Sequence, residues 1–231
     1  MSQLDRRPDA AGRAALALYR RAPVGVRMHV AIRWWSAPFR DVVTVLPRTG
    51  RILEIGCGHG LFSAYAALDA PERTVVGVDI DADKIGHARA AARAVDHLDF
   101  QLAPSGAVPE GPWDAAVFVD VLYLLPASEQ RRLITEAVGQ LAPGGRIVIK
   151  EMGTTPAWKA LWNTAQETLS VKVLRITEGT AFDFVPPATT ATWLTDLGLA
   201  VSRRRLDRGR VHPHHLLVGQ VPSESSTTPR G

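Results

Sequence analysis

The sequence predicts an α/β protein: a mostly parallel seven-stranded sheet with helices on both faces, an antiparallel C-terminal hairpin and an N-terminal helical extension. Short apolar runs without polar alternation are separated by helical patterns, as expected for parallel strands that are covered on both faces. The first run opens directly into a turn with three glycines, Gly56, Gly58 and Gly60. The last two runs are joined by a short polar connection, which is typical of a hairpin.

The N-terminal part of the chain has the pattern of three short helices. Apolar residues recur there at helical spacing, and Pro23, Pro38 and Pro47 interrupt the pattern. Helices are predicted over residues 10–21, 26–35 and 39–46, after a polar start that we expect to be disordered. Trp34 and Trp35 make the second helix unusually aromatic.

Seven strands and four further helices are predicted in the remainder of the chain. The strands are residues 51–55, 74–78, 98–102, 115–119, 146–150, 199–204 and 215–219. The helices are residues 61–68, 82–95, 128–141 and 189–197, and another helix is predicted to open at Pro156. These patterns divide the chain into a helical extension or lid (1–49), one main domain (50–220) and a disordered tail (221–231).

Length and composition are those of a soluble globular protein. The 231 residues are enough for one well-packed domain, and the 46% hydrophobic and 22% charged content is ordinary. No uncharged apolar run reaches the roughly 18 residues of a membrane span. Asp5 and Asp9 lie where a secretory signal would need apolar residues, so we expect a cytoplasmic protein.

The cysteine and histidine content argues against a metal site. Cys57 is the only cysteine, which excludes an internal disulfide and any multi-cysteine metal site. His212, His214 and His215 lie close together but lack a carboxylate or cysteine partner at ligand spacing. No metal is predicted.

Positive charge is concentrated in the N-terminal segment. The first 51 residues hold ten arginines against three aspartates, a net charge of +7, while the whole chain carries +4. Three interpretations stay open: a solvated helix face, a nucleic-acid surface, or peripheral contact with an anionic membrane through the N-terminal segment.

The glycine-rich turn indicates a ligand held against the end of the first strand. Glycine lets the backbone adopt positive φ and lets a ligand approach closely. A dinucleotide fingerprint would place its third glycine at Leu61, and a P-loop would end in Gly-Lys-Ser/Thr, so neither pattern fits. The second strand ends in Asp79, whose carboxylate suits the hydroxyls of a ribose.

Four motifs together resemble the class I S-adenosyl-L-methionine (AdoMet) methyltransferases, which have a Rossmann-like sheet. They are Glu54-Ile55-Gly56-Cys57-Gly58-His59-Gly60, Val75-Val76-Gly77-Val78-Asp79-Ile80, Trp113-Asp114-Ala115-Ala116-Val117-Phe118-Val119-Asp120 and Leu141-Ala142-Pro143-Gly144-Gly145. The resemblance covers about residues 50 to 220. It implies that the main domain is an AdoMet-dependent methyltransferase domain.

The resemblance also implies roles for individual residues in binding AdoMet. Glu54 and the backbone of Gly56, Cys57 and Gly58 would hold the methionine end. Asp79 would bind the ribose and Ile80 would pack on the adenine. Asp120 would face the methionine ammonium or the acceptor. The family commonly has an acid after the third strand, where this chain has Pro104, so the adenine contact would fall to the backbone or to Ser105.

The sequence says less about the acceptor, the molecule that would receive the methyl group, than about the cofactor. Trp, Phe and Pro are frequent in the segments expected to close over the pocket, which favours O-methylation, with N-methylation as the second choice, of a small hydrophobic metabolite such as a polyketide, lipid or aromatic acid. A nucleic-acid acceptor is not favoured, although an RNA methyltransferase and a noncatalytic AdoMet-binding module stay as alternatives. The candidates to deprotonate the acceptor are Asp120, Tyr123, Glu151 and His59, and none of them is assigned as catalytic. No oligomeric state is predicted.

Overall fold

The computed structural model describes residues 7–104, 106–152, 183–206 and 214–223. Its centre is one sheet of seven strands, numbered in chain order. These are β1 (Gly50–Ile55), β2 (Arg73–Asp79), β3 (Leu98–Leu102), β4 (Trp113–Val119), β5 (Leu141–Met152), β6 (Ala200–Arg205) and β7 (His214–Gln220). The order across the sheet is β3-β2-β1-β4-β5-β7-β6.

Strand direction changes only at the C-terminal edge of the sheet. The pairs β1–β2, β1–β4, β2–β3 and β4–β5 are parallel, whereas β7 pairs antiparallel with both β5 and β6. The predicted fold class is confirmed. The sheet order reverses between β1 and β4, and in open α/β sheets ligands bind beyond the carboxyl ends of the strands at such a point.

Seven α-helices lie among the described residues. They are α1 (Ala10–Leu18), α2 (Val24–Ser36), α3 (Phe39–Val43), α4 (Leu61–Asp69), α5 (Ala82–Ala92), α6 (Ala127–Gly139) and α7 (Pro187–Asp196), with a short 3-10 helix at Leu122–Leu124. Within the described part of the chain, none is both long and apolar enough to cross a membrane.

Each face of the sheet buries its own apolar core. Ile52 and Val117 point into a core shared with α1 to α5. Their chain neighbours Leu53 and Ala116 point the other way, into a core shared with α6 and α7. This alternation explains why the central strands β1 and β4 are largely apolar along their length, since successive side chains enter opposite cores.

The N-terminal helices are packed onto α4 by aromatic contacts. The Trp34 ring of α2 lies edge-on to Tyr65 of α4, with ring centroids 5.0 Å apart. The Tyr65 hydroxyl donates to Asp9 at 2.9 Å, just before α1. A Cβ built on Gly12 of α1 would lie 2.2 Å from the Trp34 ring, so glycine is required where the two helices meet. The extension therefore rests on the helix that follows the glycine-rich turn.

The structure changes some predicted boundaries. The first helix ends at Leu18 instead of residue 21, and the 3-10 helix was not predicted. The two adjacent tryptophans have different surroundings: Trp34 is 4% exposed, whereas Trp35 is 50% exposed. The predicted helix after Pro156, the connection at residues 207–210 and the tail from residue 224 lie outside the described residues.

Candidate active site

The glycine-rich turn has the backbone conformation that its sequence predicts. Gly56, Gly58 and Gly60 have φ values of 76°, 56° and 79°, in the left-handed region that favours glycine. A Cβ at Gly56 or Gly60 would lie 2.3 Å from a neighbouring side chain. At Gly58 nothing lies within 4 Å of such a Cβ. The turn is packed into the fold at its two ends and faces open space in the middle.

Hydrogen bonds to the end of β2 hold the turn in place. The N–H groups of Gly56 and Cys57 donate to the Val78 carbonyl at 2.8 and 3.0 Å. Asp79 accepts from the Gly58 N–H at 2.7 Å and from the Asp81 N–H at 2.9 Å. The predicted ligand-binding carboxylate therefore also fixes the turn. Two carboxylate oxygens have about four lone-pair sites, so these two bonds leave Asp79 capacity for a ligand.

Glu54 lies beneath the turn, at the end of β1, with 3% of its surface exposed. Ser63 of α4 donates a hydrogen bond to its carboxylate. Burial raises the pKa of Glu54 to about 7, against the opposing effect of the Ser63 hydrogen bond. A nearby cation stabilises the ionised form of a carboxyl group whose pKa burial has raised. The site therefore suits a positively charged ligand group.

A buried charge cluster lies at the end of β4, next to the turn. Asp120 is the only non-glycine residue with positive φ, at 55°, among the described residues. Lys150 of β5 lies 2.5 Å from both of its carboxylate oxygens, and Arg33 of α2 lies 3.0 Å from one of them. The cluster ties the N-terminal extension to the centre of the sheet.

The electrostatics of this cluster follow from burial opposed by charge pairing. Burial by itself would raise the pKa of Asp120, but the Lys150 ammonium and the Arg33 guanidinium outweigh it and lower that pKa. Burial lowers the pKa of Lys150 to about 8 in spite of the attraction of Asp120. Both Asp120 oxygens are already in ion pairs, so its contact with a methionine ammonium or acceptor stays a prediction.

The next residue along β5 is a second acid, the half-buried Glu151. Glu151 accepts a hydrogen bond from the Leu122 N–H at 3.2 Å. Burial, with a smaller contribution from the negative charge of Asp120, raises its pKa to about 8. Beside it, Tyr123 stacks on Phe184, with ring centroids 5.4 Å apart and planes 13° from parallel. This side of the site is aromatic with one weakly acidic carboxyl group.

Three histidines line the other side of the turn. The His59 ring lies 4.7 Å from His29 of α2 and 6.0 Å from His87 of α5, measured between centroids. Burial, reinforced by nearby cationic groups, lowers the pKa of His29 and of His59 to about 4. Tyr19 of α1 donates to the His59 carbonyl at 2.6 Å. The extension therefore contacts the glycine turn directly as well as Asp120.

The structure brings most of the predicted site residues together. Glu54, Gly56, Cys57, Gly58, Asp79 and Asp120 lie at or beside the carboxyl ends of β1, β2 and β4, and the half-buried Ile80 follows Asp79. Ser105 lies outside the described residues. Arg33, Lys150, His29 and His87 were not predicted as members of the site. Among the described residues, no group of histidines, cysteines and acids is arranged to hold a metal.

The observed arrangement fits AdoMet. The open space at Gly58 leaves room for a ligand, Asp79 can accept from ribose hydroxyls, and Glu54 suits a cationic group. When bound, AdoMet supplies a methyl group that its positively charged sulfur already makes electrophilic.

Comparisons with known proteins give the same family. The methyltransferase-domain family matches residues 29–203. The ubiquinone biosynthesis O-methyltransferase of Xanthomonas axonopodis pv. citri (strain 306) is 27% identical over 186 residues, covering 74% of this chain and 77% of that protein.

Solved methyltransferase structures share the fold. An O-methyltransferase family protein from Burkholderia thailandensis has a TM-score of 0.63 and 25% identity, over 92% of this chain and 63% of its own. The Haemonchus contortus phosphoethanolamine N-methyltransferase 2, in complex with S-adenosylhomocysteine, has a TM-score of 0.62 and 13% identity over 90% of this chain and 60% of its own. The chain thus spans less than two thirds of each of these structures. It belongs to the methyltransferase-domain family and is a class I AdoMet-dependent methyltransferase.

Proposed function

We propose that this enzyme transfers the methyl group of AdoMet to a hydroxyl of a small hydrophobic acceptor. The observation that carries the proposal is the wall beyond β4, where the stacked rings of Tyr123 and Phe184 adjoin the carboxyl group of the half-buried Glu151. An aromatic wall with one titratable group suits an apolar acceptor whose hydroxyl must lose a proton. The O-methyltransferase names of the sequence relatives support the same reaction.

Orientation is the larger part of what the chain must supply. Glu54, Asp79 and the Gly58 backbone would hold AdoMet at the carboxyl ends of β1 and β2. The extension would act as a lid over it, since Arg33 reaches Asp120 and Tyr19 reaches the His59 carbonyl. Such a lid would exclude water and fix the acceptor near the methyl group, and holding two reactants in line in this way accelerates the reaction between them.

Glu151 is the best candidate to accept the acceptor's proton. The ion pairs with Lys150 and Arg33 lower the pKa of Asp120, which makes it a weak base. His59, with its pKa lowered to about 4, is also weakly basic. The pKa of Glu151, at about 8, lies near the working pH, where general bases are most effective.

A Glu151→Gln variant tests this assignment with a panel of phenolic and aliphatic hydroxyl acceptors. We expect S-adenosylhomocysteine release from the active acceptor to fall by about 10²- to 10⁴-fold in kcat, because glutamine cannot take up the proton. The wild-type rate should rise with pH through about 8, as the Glu151 carboxyl group ionises, and this rise should vanish in the variant.

The exposed, ion-paired Glu129 of α6 provides the control. Glu129→Gln should keep wild-type kcat, and both variants should bind AdoMet with wild-type affinity by calorimetry. Equal kcat in wild type and Glu151→Gln would remove Glu151 from the reaction. Methylation of RNA with no turnover of any small hydroxyl compound would overturn the proposed acceptor class. AdoMet binding without turnover of any acceptor would mean that the protein is a noncatalytic AdoMet-binding module.

A further inference from the structure

Helix α2 presents an apolar stripe to solvent. Val24, Met28, Ile32 and Trp35 are 74%, 61%, 58% and 50% exposed. They are four of the five large apolar side chains that are exposed among the described residues. Their spacings of four, four and three residues place them on one face of the helix. The opposite face of α2 is buried against the domain through Val26, Val30 and Trp34.

Arginines surround this stripe. Residues 10–40 contain six arginines and no acidic residue. Arg33 and Arg40 form ion pairs with Asp120 and Asp9, whereas Arg20, Arg21 and Arg27 are exposed around the start of α2. A groove of about 460 Å³ runs between α1 and α2, and both aliphatic side chains and arginines line it. The lining includes Leu16, Val24, Met28, Val30, Arg20 and Arg27.

We propose that this α2 surface docks on an anionic lipid bilayer. The stripe would enter the boundary between headgroups and acyl chains, with α2 lying in the plane of the membrane. Arg20, Arg21 and Arg27 would contact acidic headgroups, which attract basic residues beside an inserted helix. The groove between α1 and α2 offers apolar walls for an acyl chain below an arginine rim.

Charge and apolar character together favour a bilayer over other occupants. A second copy of this chain, packed through the same surface, would bring its arginines against these arginines, and like charges across an interface are unfavourable. A nucleic acid would satisfy the arginines but would leave the four apolar side chains without a matching surface. An anionic bilayer offers acidic headgroups to the arginines and an apolar interior to the stripe, side by side along the helix.

Docking through α2 would place the membrane next to the active site. The same helix contributes Arg33 to the Asp120 cluster and His29 to the glycine turn. If the acceptor is hydrophobic, as proposed above, it would reach the site from the bilayer. Membrane docking itself does not depend on the identity of the acceptor, so a binding experiment tests it separately from methyl transfer.

The test is flotation of the full-length protein with vesicles of phosphatidylcholine and phosphatidylglycerol in a 7:3 ratio. We expect binding that weakens steeply at high salt and on pure phosphatidylcholine vesicles. A Met28→Glu, Ile32→Glu double variant should bind at least about 10-fold more weakly, because it puts two charges into the stripe. An Arg20→Gln, Arg27→Gln double variant should lose the preference for the anionic vesicles.

Leu102 supplies the matched control, since it is 41% exposed but belongs to β3 and not to the stripe on α2. Leu102→Glu should bind vesicles like the wild type, and circular dichroism melting should show that the stripe variants are folded. Equal vesicle binding by wild type and the Met28→Glu, Ile32→Glu variant would overturn the proposal. A wild-type dimer that these substitutions dissociate, without any vesicle binding, would also overturn it.

Discussion

At the scale of single residues, the buried ion pairs around Asp120 hold the site together. Both partners of Asp120 come from distant parts of the chain: Arg33 lies 87 residues before it and Lys150 lies 30 residues after it. The three side chains join α2, β4 and β5 at one point. Charges buried in this way are stable only while each has its partner.

Asp120→Asn should destabilise the protein markedly. Asparagine has the same shape and tolerates the positive φ at this position, so the change removes mainly the charge. It leaves Lys150 buried without its carboxylate, and we expect the free energy of unfolding to fall by about 3–5 kcal/mol in urea titrations. The exposed Glu136–Arg132 pair is the control. Glu136→Gln should lower the free energy of unfolding by less than about 1 kcal/mol. A similarly small decrease in Asp120→Asn would show that the cluster is not important for stability.

The sequence contains one signal of this cluster, which was not used in the prediction, and it does not identify the other members. Lys150 directly follows the apolar run Ile147-Val148-Ile149, and a charged residue inside a covered strand requires a partner. Nothing in the local sequence names Asp120 or Arg33 as that partner, because the contacts form only when β4, β5 and α2 are assembled. The residues of the glycine turn were predictable because their conformation and their spacing are local properties.

At the scale of elements, six of the seven strands lie within two residues of their predicted ends, whereas β5 begins at Leu141, five residues before its predicted start. The third strand matches its prediction at both ends. Its apolar residues Leu98, Phe100 and Leu102 alternate with polar residues, which is the pattern of a strand, and a proline follows shortly after it. Helix α2 is harder to interpret from sequence, since it is apolar on its buried face and also on its exposed face. A single buried face gives a helix a clear periodicity, and a second apolar face removes it.

Close packing between α1 and α2 can be tested with one glycine. Gly12→Ala would bring a Cβ to 2.2 Å from the Trp34 ring, which is pinned between Phe39 and Tyr65. We expect a loss of about 1–3 kcal/mol in the free energy of unfolding, the usual cost of overpacking. Gly25→Ala is the control, because its Cβ would meet nothing within 4 Å. It should leave stability unchanged or raise it by up to about 1 kcal/mol. Unchanged stability in Gly12→Ala would mean that α1 is loosely attached.

At the scale of the whole molecule, the sheet and the N-terminal extension meet at the glycine turn. The sheet order brings β1 beside both β2 and β4, so Glu54, Asp79 and Asp120 come to the same edge. The extension then covers this edge through Tyr19 and Arg33. A ligand held there should stabilise the folded molecule as a unit, and the size of that stabilisation is measurable.

Gly58 and Gly198 offer a matched pair for this measurement. Both have positive φ, 56° and 84°, and an added Cβ would meet nothing within 4 Å at either site. Alanine at either position should therefore cost a similar amount of stability, about 1–2 kcal/mol for left-handed backbone. Only Gly58 adjoins Asp79; Gly198 lies just after α7.

S-adenosylhomocysteine at about 100 times its Kd should add roughly 2.7 kcal/mol to the free energy of unfolding of the wild type and of Gly198→Ala. In Gly58→Ala the methyl group enters the space assigned to the cofactor, so this stabilisation should be largely lost. Urea unfolding with and without the nucleoside measures both effects in each variant. Both variants place alanine at a positive φ, so backbone strain cannot account for a difference in ligand stabilisation between them. Full stabilisation of Gly58→Ala by S-adenosylhomocysteine would mean that the cofactor lies elsewhere.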